Sequence, residues 1–455
     1  ALGRFEEAVA TYDQAIALRQ SFAAAYSNRG NALKELKRLD EALASHDRAV
    51  ALDPTSASAL NSRAHTLHHL KAFEQALESC DRAVALSPGY AEAFYNRGLI
   101  LHELRRFEEA LTSYDRAIAL DPDYPNAYFD RALARLILGR FNQGWDDSEH
   151  RWRLPSFATR SDIDPRKLKL WIRKESLSGS RLLVISEQGI GDEIMFASMI
   201  SDLARDARAV TLECDSRLVA LFARSFHNIE FVRRASLSPS QIAQFDHLLP
   251  AGSLGRLYRR SLEDFPVRSS YLRPDQAIVT GWRQRLSQLG SGMKIGISWR
   301  GGTDSTRREA RSIPLELFRP LLELEGARFV SLQYGDVTAE VDRLNRSLSN
   351  PIALFQAETD DFDQLAGLVG ALDLVISVQT AVVHLSGAIG KRTWVMVPQV
   401  AEWRYGAEGN SMPWYSSVRL YRQKAQGEWG ETLAQVASDL VSDIRAPALG
   451  EAWRS

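Results

Sequence analysis

The 455-residue chain is too long for one ordinary core, so two or three domains are expected. Apolar residues make up 45% and charged residues 25%, the balance of a soluble globular protein, and the formal net charge of −1 gives no bulk attraction to nucleic acid or membrane. The two cysteines, Cys80 and Cys214, lie far apart, which argues against a disulfide framework or cysteine zinc site and for a reducing compartment such as the cytoplasm. No apolar run approaches the roughly 20 residues that span a bilayer, and no signal peptide is visible. The sequence starts at Ala1 in mid-repeat and without Met, so further repeats are expected upstream.

The first third is self-similar at a fixed period. Asp13, Asp47, Asp81 and Asp115 are spaced by 34, as are Arg29, Arg63, Arg97 and Arg131. Small residues recur at Ala8, Ala42, Ala76, Ala110 and Gly144, and Phe5, Leu39, Phe73, Phe107 and Phe141 form another column. Pro54, Pro88 and Pro122 close the units, where proline stops a helix. Each unit reads as two amphipathic helices, for example near 90–104 and 107–120. These columns resemble the tetratricopeptide repeat. The array is expected over 1–152, with a degenerate last pair whose Trp145 and Trp152 suggest a cap against the next domain. The resemblance implies a concave surface for a protein or peptide partner, or a scaffold that only positions its neighbour. His65, His68, His69 and His102 lie in the first helices of the units, as solvated side chains rather than metal ligands.

Residues 153–178 have little periodicity and read as a linker, with Leu170-Trp171 as a possible anchor. Strand–helix alternation then begins. Leu182–Ser186 is a short apolar strand, Gly189 and Gly191 a turn, and Asp192-Glu193 the start of a helix near 192–205. Strands are expected at 181–186, 209–214 and 229–232, then one ending at Asp246–Pro250, with a helix at 216–225. A second start follows at Lys294–Trp299, with Arg300-Gly301-Gly302 after it, a helix near 315–324, and a strand at 328–333 that ends in Gln333-Tyr334. A helix is expected at 362–370, where Asp360, Asp361 and Asp363 read as a helix start. Strand Leu374–Ser377 opens into Val378–Lys391, and strand Thr393–Pro398 leads to Glu402-Trp403-Arg404-Tyr405. An amphipathic helix is expected at 430–445.

The alternation predicts mostly parallel sheets covered on both faces. The fold class is therefore multidomain: an all-α repeat solenoid followed by two Rossmann-like α/β lobes. The expected division is repeats at 1–152, linker at 153–178, one lobe at 179–278, a second at 279–428, and a closing helix and tail at 429–455.

Three segments in 180–425 resemble the family 9 glycosyltransferases, which include heptosyltransferases and have the two-lobed GT-B arrangement. They are Gly191-Asp192, Arg311-Ser312-Ile313-Pro314, and Ser377 through His384 followed by Gly390-Lys391. Where that family carries Asp before the donor-loop threonine, this chain has Gln379. The resemblance implies inverting, metal-independent sugar transfer from a nucleotide-sugar co-substrate, with no other cofactor. By resemblance, a repeat-bearing member of this kind acts on a protein acceptor of flagellin type; a surface-glycan heptosyltransferase and an inactive adaptor are the alternatives.

Such chemistry needs a base for the acceptor hydroxyl and positive groups for the leaving diphosphate. Asp192 is the candidate base, or only a carboxylate complementing a helix dipole. Glu187 is the reserve, or a cap on the glycine turn. The helix after Thr380 aims backbone N–H groups at a phosphate, with Gln379, Ala381 and His384 on the same donor loop. His384 has a core-packing alternative. Arg300 and Arg311 are the expected phosphate cations. Lys391 is either another or a solvated helix-end charge. Gly189, Gly191, Trp299, Gln333, Tyr334 and Trp403 are candidate pocket residues, the aromatics with packing as the alternative. No segment has metal-site character.

Overall fold

The computed structural model describes residues 3–155, 157, 177, 179–302, 307–355 and 359–446. The expected linker, with its Leu170-Trp171 anchor, lies almost entirely outside the described residues. The chain divides into two compact units, Ala1–Phe157 and Ala158–Ser455.

The first unit is a run of antiparallel helix pairs. First helices are Ala23–Glu35, Ala57–His69, Ala91–Glu103 and Pro125–Ile137, and second helices are Phe5–Leu18, Leu39–Leu52, Phe73–Leu86, Phe107–Leu120 and Phe141–Ser148. The charged columns are the stitching between units. Arg29 donates to Asp13 (2.6 Å) on the preceding helix and to Ser45 (2.7 Å) on the following one. Arg63 repeats this with Asp47 and Ser79, and Arg97 with Asp81 and Ser113. At the last unit the serine position is Asp147, so Arg131 bridges Asp115 and Asp147, and Arg135 also reaches Asp147. One guanidinium thus clamps three successive helices, a use that needs its fork of donors.

Two further columns follow the same period. The residue between paired helices has positive φ at Gly3, Lys37, Lys71, Arg105 and Gly139, so three non-glycines occupy the left-handed region that ends a helix. The second column is a fit of sizes. A Cβ on Gly98 would stand 2.5 Å from the Tyr114 ring, and one on Gly30 2.6 Å from the His46 ring. In the unit between, the same two positions hold Ala64 and Cys80, both buried. A ring is used where the facing residue is glycine, and a small side chain where it is alanine.

His46 is fully buried and neither ring nitrogen has a hydrogen-bond partner. Burial, with Lys34 nearby, pushes its pKa down to about 4. His65, expected to be solvated, is half-buried against Lys34 (2.7 Å) and is pushed down to about 3, burial being the first cause. Between the ordinary histidine pKa and these values the unfolded chain binds more protons than the folded one. The folded form is therefore stabilised above about pH 6.5 and loses that stability as pH falls towards 4, by roughly 3 kcal/mol for a buried histidine of this kind. His46→Tyr, which copies the Gly98–Tyr114 pair, should remove part of this acid sensitivity. Urea titrations at pH 7 and pH 4.5, followed by far-UV circular dichroism, check it; an unchanged pH dependence refutes the assignment to His46.

The second unit contains two sheets. Strands β1 (Arg181–Ile185), β2 (Ala209–Cys214), β3 (Ile229–Arg233) and β4 (His247–Pro250) form a parallel sheet in the order β3-β2-β1-β4. Strands β5 (Met293–Ser298), β6 (Ala327–Ser331), β7 (Leu374–Val378), β8 (Thr393–Val397), β9 (Ser411–Met412) and β10 (Tyr415–Arg422) form the second, in the order β6-β5-β7-β8-β10-β9. Only β9 runs antiparallel. The eight expected strands are present within two residues, because most are short apolar runs buried in a parallel sheet, though β3 has no fully buried residue. β9 and β10 were not expected: β10 mixes exposed and buried residues without a clean period, at the edge side of the sheet. The expected helix 192–205 is two, Ile190–Ala197 and Ile200–Asp206, and the expected helix 315–324 is a 3-10 turn (Leu315–Phe318) followed by Arg319–Leu322. Helices Phe362–Ala371 and Gly430–Arg445 form where expected, the first capped by Asp361. The larger core, including Ile295, Trp299, Phe318, Phe329, Ile376 and Trp429, lies about the second sheet.

Candidate active site between two parallel sheets

In each sheet the chain leaves the first strand to one side and later returns on the other. The switch points are β1/β4 and β5/β7, and crevices at the carboxyl ends of such strand pairs are where open α/β folds bind ligands. Both are tied shut by backbone-directed bonds. Glu187, after β1, accepts from the Gly252 N–H after β4 (2.5 Å). Arg311, in the segment after β5, donates to the Gln379 carbonyl after β7 (2.6 Å). Gly301 is required there, since a Cβ would press into that same carbonyl.

The two switch points face each other. Helix Ile190–Ala197 starts at the first, and helix Ala381–Ile389 at the second. A Cβ on Gly191 would lie 3.0 Å from His384 Cδ2 and 3.4 Å from Ala381 Cα. Gly191 therefore serves close approach of the two helices. The positive φ of the first turn falls on Gln188 (65°), correcting the expectation that Gly189 and Gly191 supply it. Gly189 is the N-cap, with a Cβ direction that is open apart from Asp192 Oδ2 at 3.8 Å.

Charged side chains from both sheets meet at this contact. Asp192 Oδ2 accepts weakly from the Gly189 N–H (3.4 Å), while its Oδ1 pairs with Arg404 Nη2. It thus serves the helix start and faces the opposite sheet as well. Arg404 Nη1 pairs with Glu402, whose other oxygen pairs with Arg311. Both arginine side chains are only 12% exposed. Burial is the main cause lowering the Arg311 pKa, and it raises the nearby Tyr405 hydroxyl to about 12. His384 is fully enclosed beside these cations, which with burial holds it neutral, and its Nδ1 bonds the Tyr415 hydroxyl (3.0 Å). Thr380 caps its helix through the Val382 N–H (3.2 Å). Arg404 and Glu402 are contributors that the sequence reading did not select; their only signal was their place after strand β8.

Other expected site residues go elsewhere. Trp299 is buried in the core, with its indole N–H on Glu340 (3.3 Å). Gln333 is a buried brace: its side-chain oxygen takes the N–H groups of Trp299 (3.0 Å) and Arg300 (2.8 Å). Both close the end of β5. Tyr334 is 72% exposed. Arg300 points to Glu340 (3.1 Å) rather than into the cluster. Lys391 is no solvated or phosphate-facing cation: its Nζ is buried on the carbonyls of Gly370 and Leu372, capping a helix end, and burial lowers its pKa. The Gln379 side chain is fully buried with no partner for either polar atom. Trp403 carries the Arg404 guanidinium at 5.3 Å from its ring centre. Glu193, beside Asp192, was not selected either; it is buried against Arg234 and the Asp215 N–H (2.7 Å), and burial raises its pKa to about 7. Among the described residues no cluster of metal-ligating side chains occurs, and no helix is long and apolar enough to cross a membrane.

Residues 1–37 and 98–139 match a TPR-repeat family model, and residues 23–56 and 47–91 match two further tetratricopeptide-repeat models. Protein FlbA of Caulobacter vibrioides is 32% identical over 323 residues, taking in 67% of this chain and 53% of FlbA. The chain therefore spans about half the length of that relative, and the match is longer than the repeat unit. Among solved structures, that of MamA is similar over 33% of this chain and 88% of its own, at 22% identity and a TM-score of 0.31. A thermophilic TPR protein of Thermus thermophilus is similar over 34% of this chain and 86% of its own, at 23% identity and a TM-score of 0.31. With family models and periodic helix pairs in agreement, residues 1–139 are tetratricopeptide repeats, a protein-interaction module.

Proposed function

We propose that the second unit is a GT-B glycosyltransferase of the family 9 type, which moves a sugar with inversion from a nucleotide-sugar donor to an acceptor. The supporting observation is the convergence of Asp192 and Arg311, from two facing switch points, with Glu402 and Arg404 from the segment after β8. In this reading Asp192 takes the acceptor proton. Arg311 and Arg404 turn from Glu402 to the leaving diphosphate, joined by N–H groups at the start of helix Ala381–Ile389. His384, held neutral, shapes the contact between helices rather than carrying charge. The chemistry needs no metal: two guanidinium groups and a helix start supply the positive field. The repeats hold the acceptor, a protein of flagellin type by resemblance, and the protein works in the cytoplasm, where nucleotide sugars are available.

The test is thermal stability against a panel of nucleoside diphosphates and nucleotide sugars. A specific ligand at about 100 times its dissociation constant adds roughly 2.7 kcal/mol to stability, a shift of several degrees for a domain of moderate size. One nucleotide class should stabilise the protein, and Arg311→Ala should abolish the effect. A second reading, a repeat adaptor with an inactive transferase fold, is favoured by one observation: both arginines are already neutralised by Glu402 and Asp192. No shift with any nucleotide would select it.

A further inference from the structure

The two helices that meet at the Asp192 contact start differently. Helix Ala381–Ile389 has a side-chain cap, since Thr380 accepts from the Val382 N–H (3.2 Å). Helix Ile190–Ala197 has none: its N-cap is Gly189, whose own N–H reaches Asp192 Oδ2 only at 3.4 Å. A glycine cap offers the first-turn N–H groups no side-chain acceptor, so it holds the helix start loosely. The residue before it, Gln188, is exposed and carries a left-handed backbone (φ 65°), which sterics disfavour for a residue with a Cβ. Such a turn persists where its surroundings over-determine it.

Arg234 supplies those surroundings. Strand β3 ends at Arg233, and the Arg234 N–H extends its pairing with β2 through the Cys214 carbonyl (2.9 Å). β2 lies between β3 and β1, so the guanidinium passes the end of β2 to reach the loop after β1. Its Nε donates to the Ser186 hydroxyl (2.9 Å), and its Nη2 to the Gln188 carbonyl (3.2 Å) and to Glu193 Oε1. The other Glu193 oxygen accepts from the Asp215 N–H just after β2 (2.7 Å), and Ser186 donates to Glu213 near the end of β2 (3.2 Å). One guanidinium fork thus joins the ends of three strands to the start of the helix. The Glu193 side chain is 3% exposed and that of Arg234 39%, so the acid is the enclosed end of the pair.

Asp192 and Glu193 are successive helix residues, about 100° apart around its axis. Glu193 is anchored in the first sheet, while Asp192 faces Arg404 from the opposite one. The rotation that seats Glu193 therefore sets the direction of Asp192. We propose that Arg234 is a positioning residue: from the end of β3 it holds Glu193 and the Gln188 turn, and so fixes the rotation of helix Ile190–Ala197 at which Asp192 meets Arg404. What Asp192 does there, taking the acceptor proton, is the sugar-transfer reading above, and the catalytic consequence of Arg234 rests on it.

The first test is hydrogen–deuterium exchange of the full-length chain, read on peptides. Arg234→Lys keeps a charge opposite buried Glu193 but cannot serve Ser186, Gln188 and Glu193 together. Exchange should rise about tenfold over residues 186–194 and also over 402–406, the segment that Asp192 holds, while β5 and β6 change by less than about twofold. The double variant Arg234→Gln with Glu193→Gln, which leaves no buried charge unpaired, should do the same. Unchanged exchange over 186–194 overturns the proposal. So does a rise confined to 186–194, since a brace that does not reach 402–406 does not position Asp192. Transfer from the donor that the stability panel identifies is the second readout. Arg234→Lys should lower kcat about tenfold, leave the donor KM within about twofold, and add nothing to the loss in Asp192→Asn. An equal further loss in Asp192→Asn overturns the proposal, because Arg234 would then act by another route. A wild-type chain that transfers no sugar from any donor overturns Asp192 as the base, and the exchange result then decides the brace by itself.

Discussion

Asp192→Asn should keep nucleotide-sugar affinity within about threefold and lower sugar transfer by roughly 10²–10⁴, the range for loss of a positioned general base. The substitution keeps shape and keeps an acceptor oxygen for the Gly189 N–H, so the helix start survives. It removes the charge that Arg404 holds from the opposite sheet. Arg404→Lys should also slow transfer, because one ammonium cannot address Asp192 and Glu402 together as the guanidinium does. Glu402→Gln should act in the opposite direction on binding: with its charge gone, Arg311 and Arg404 are released for the diphosphate, and donor affinity rises. Isothermal titration with the donor found by stability screening separates these effects from folding. Wild-type transfer rates in Asp192→Asn would move the base elsewhere. Glu187 is a poor substitute, because its carboxylate is buried on the Gly252 N–H (2.5 Å) and holds β1 to β4.

How much of this was legible in the sequence depends on range. The strands were readable because a buried parallel strand is a local signal: four or five apolar residues with turn residues behind them. The repeats were readable because period 34 multiplies each local signal several times. Asp192 and Thr380 could be selected because each follows an apolar strand closely, and Arg311 because its segment resembles a family motif. Arg404 was missed because its meaning is an ion pair with a residue 212 positions away, which no spacing rule encodes. Trp299, Gln333 and Lys391 were misplaced for the converse reason. A polar or aromatic residue at a strand end looks the same in sequence whether it faces a crevice or closes one, and only the partner decides: Glu340 for Trp299, the Arg300 N–H for Gln333, the Leu372 carbonyl for Lys391. Gly191 reads in sequence as a turn glycine, and the structure gives it another use. Its value lies in the helix that packs on it, while Gln188 carries the unusual backbone.

Gly98→Ala should destabilise the repeat unit, and a companion change at Tyr114 should reverse the sign of its effect. Alanine is favoured over glycine inside a helix by about 1 kcal/mol. Here the added methyl would stand 2.5 Å from Tyr114 Cε1, in a buried cluster with Leu101, Leu111 and Ala134. Overpacking of this kind costs about 1–3 kcal/mol, so the clash outweighs the helix gain. Tyr114→Cys alone should lose more, about 3–5 kcal/mol, because it leaves a ring-sized cavity. The double variant reproduces the Ala64–Cys80 pair one unit earlier, which the same architecture already accommodates. It should therefore be more stable than Tyr114→Cys alone by about 1 kcal/mol or more, since the alanine now fills space and favours the helix. Chemical denaturation of the four proteins gives the coupling energy, expected at about 2–3 kcal/mol. Additive effects would show that the alternation of ring over glycine and thiol over alanine is incidental. A coupling of that size would make each repeat's second helix a size-matched partner of its own first helix, and that matching would set which units could be exchanged along the array.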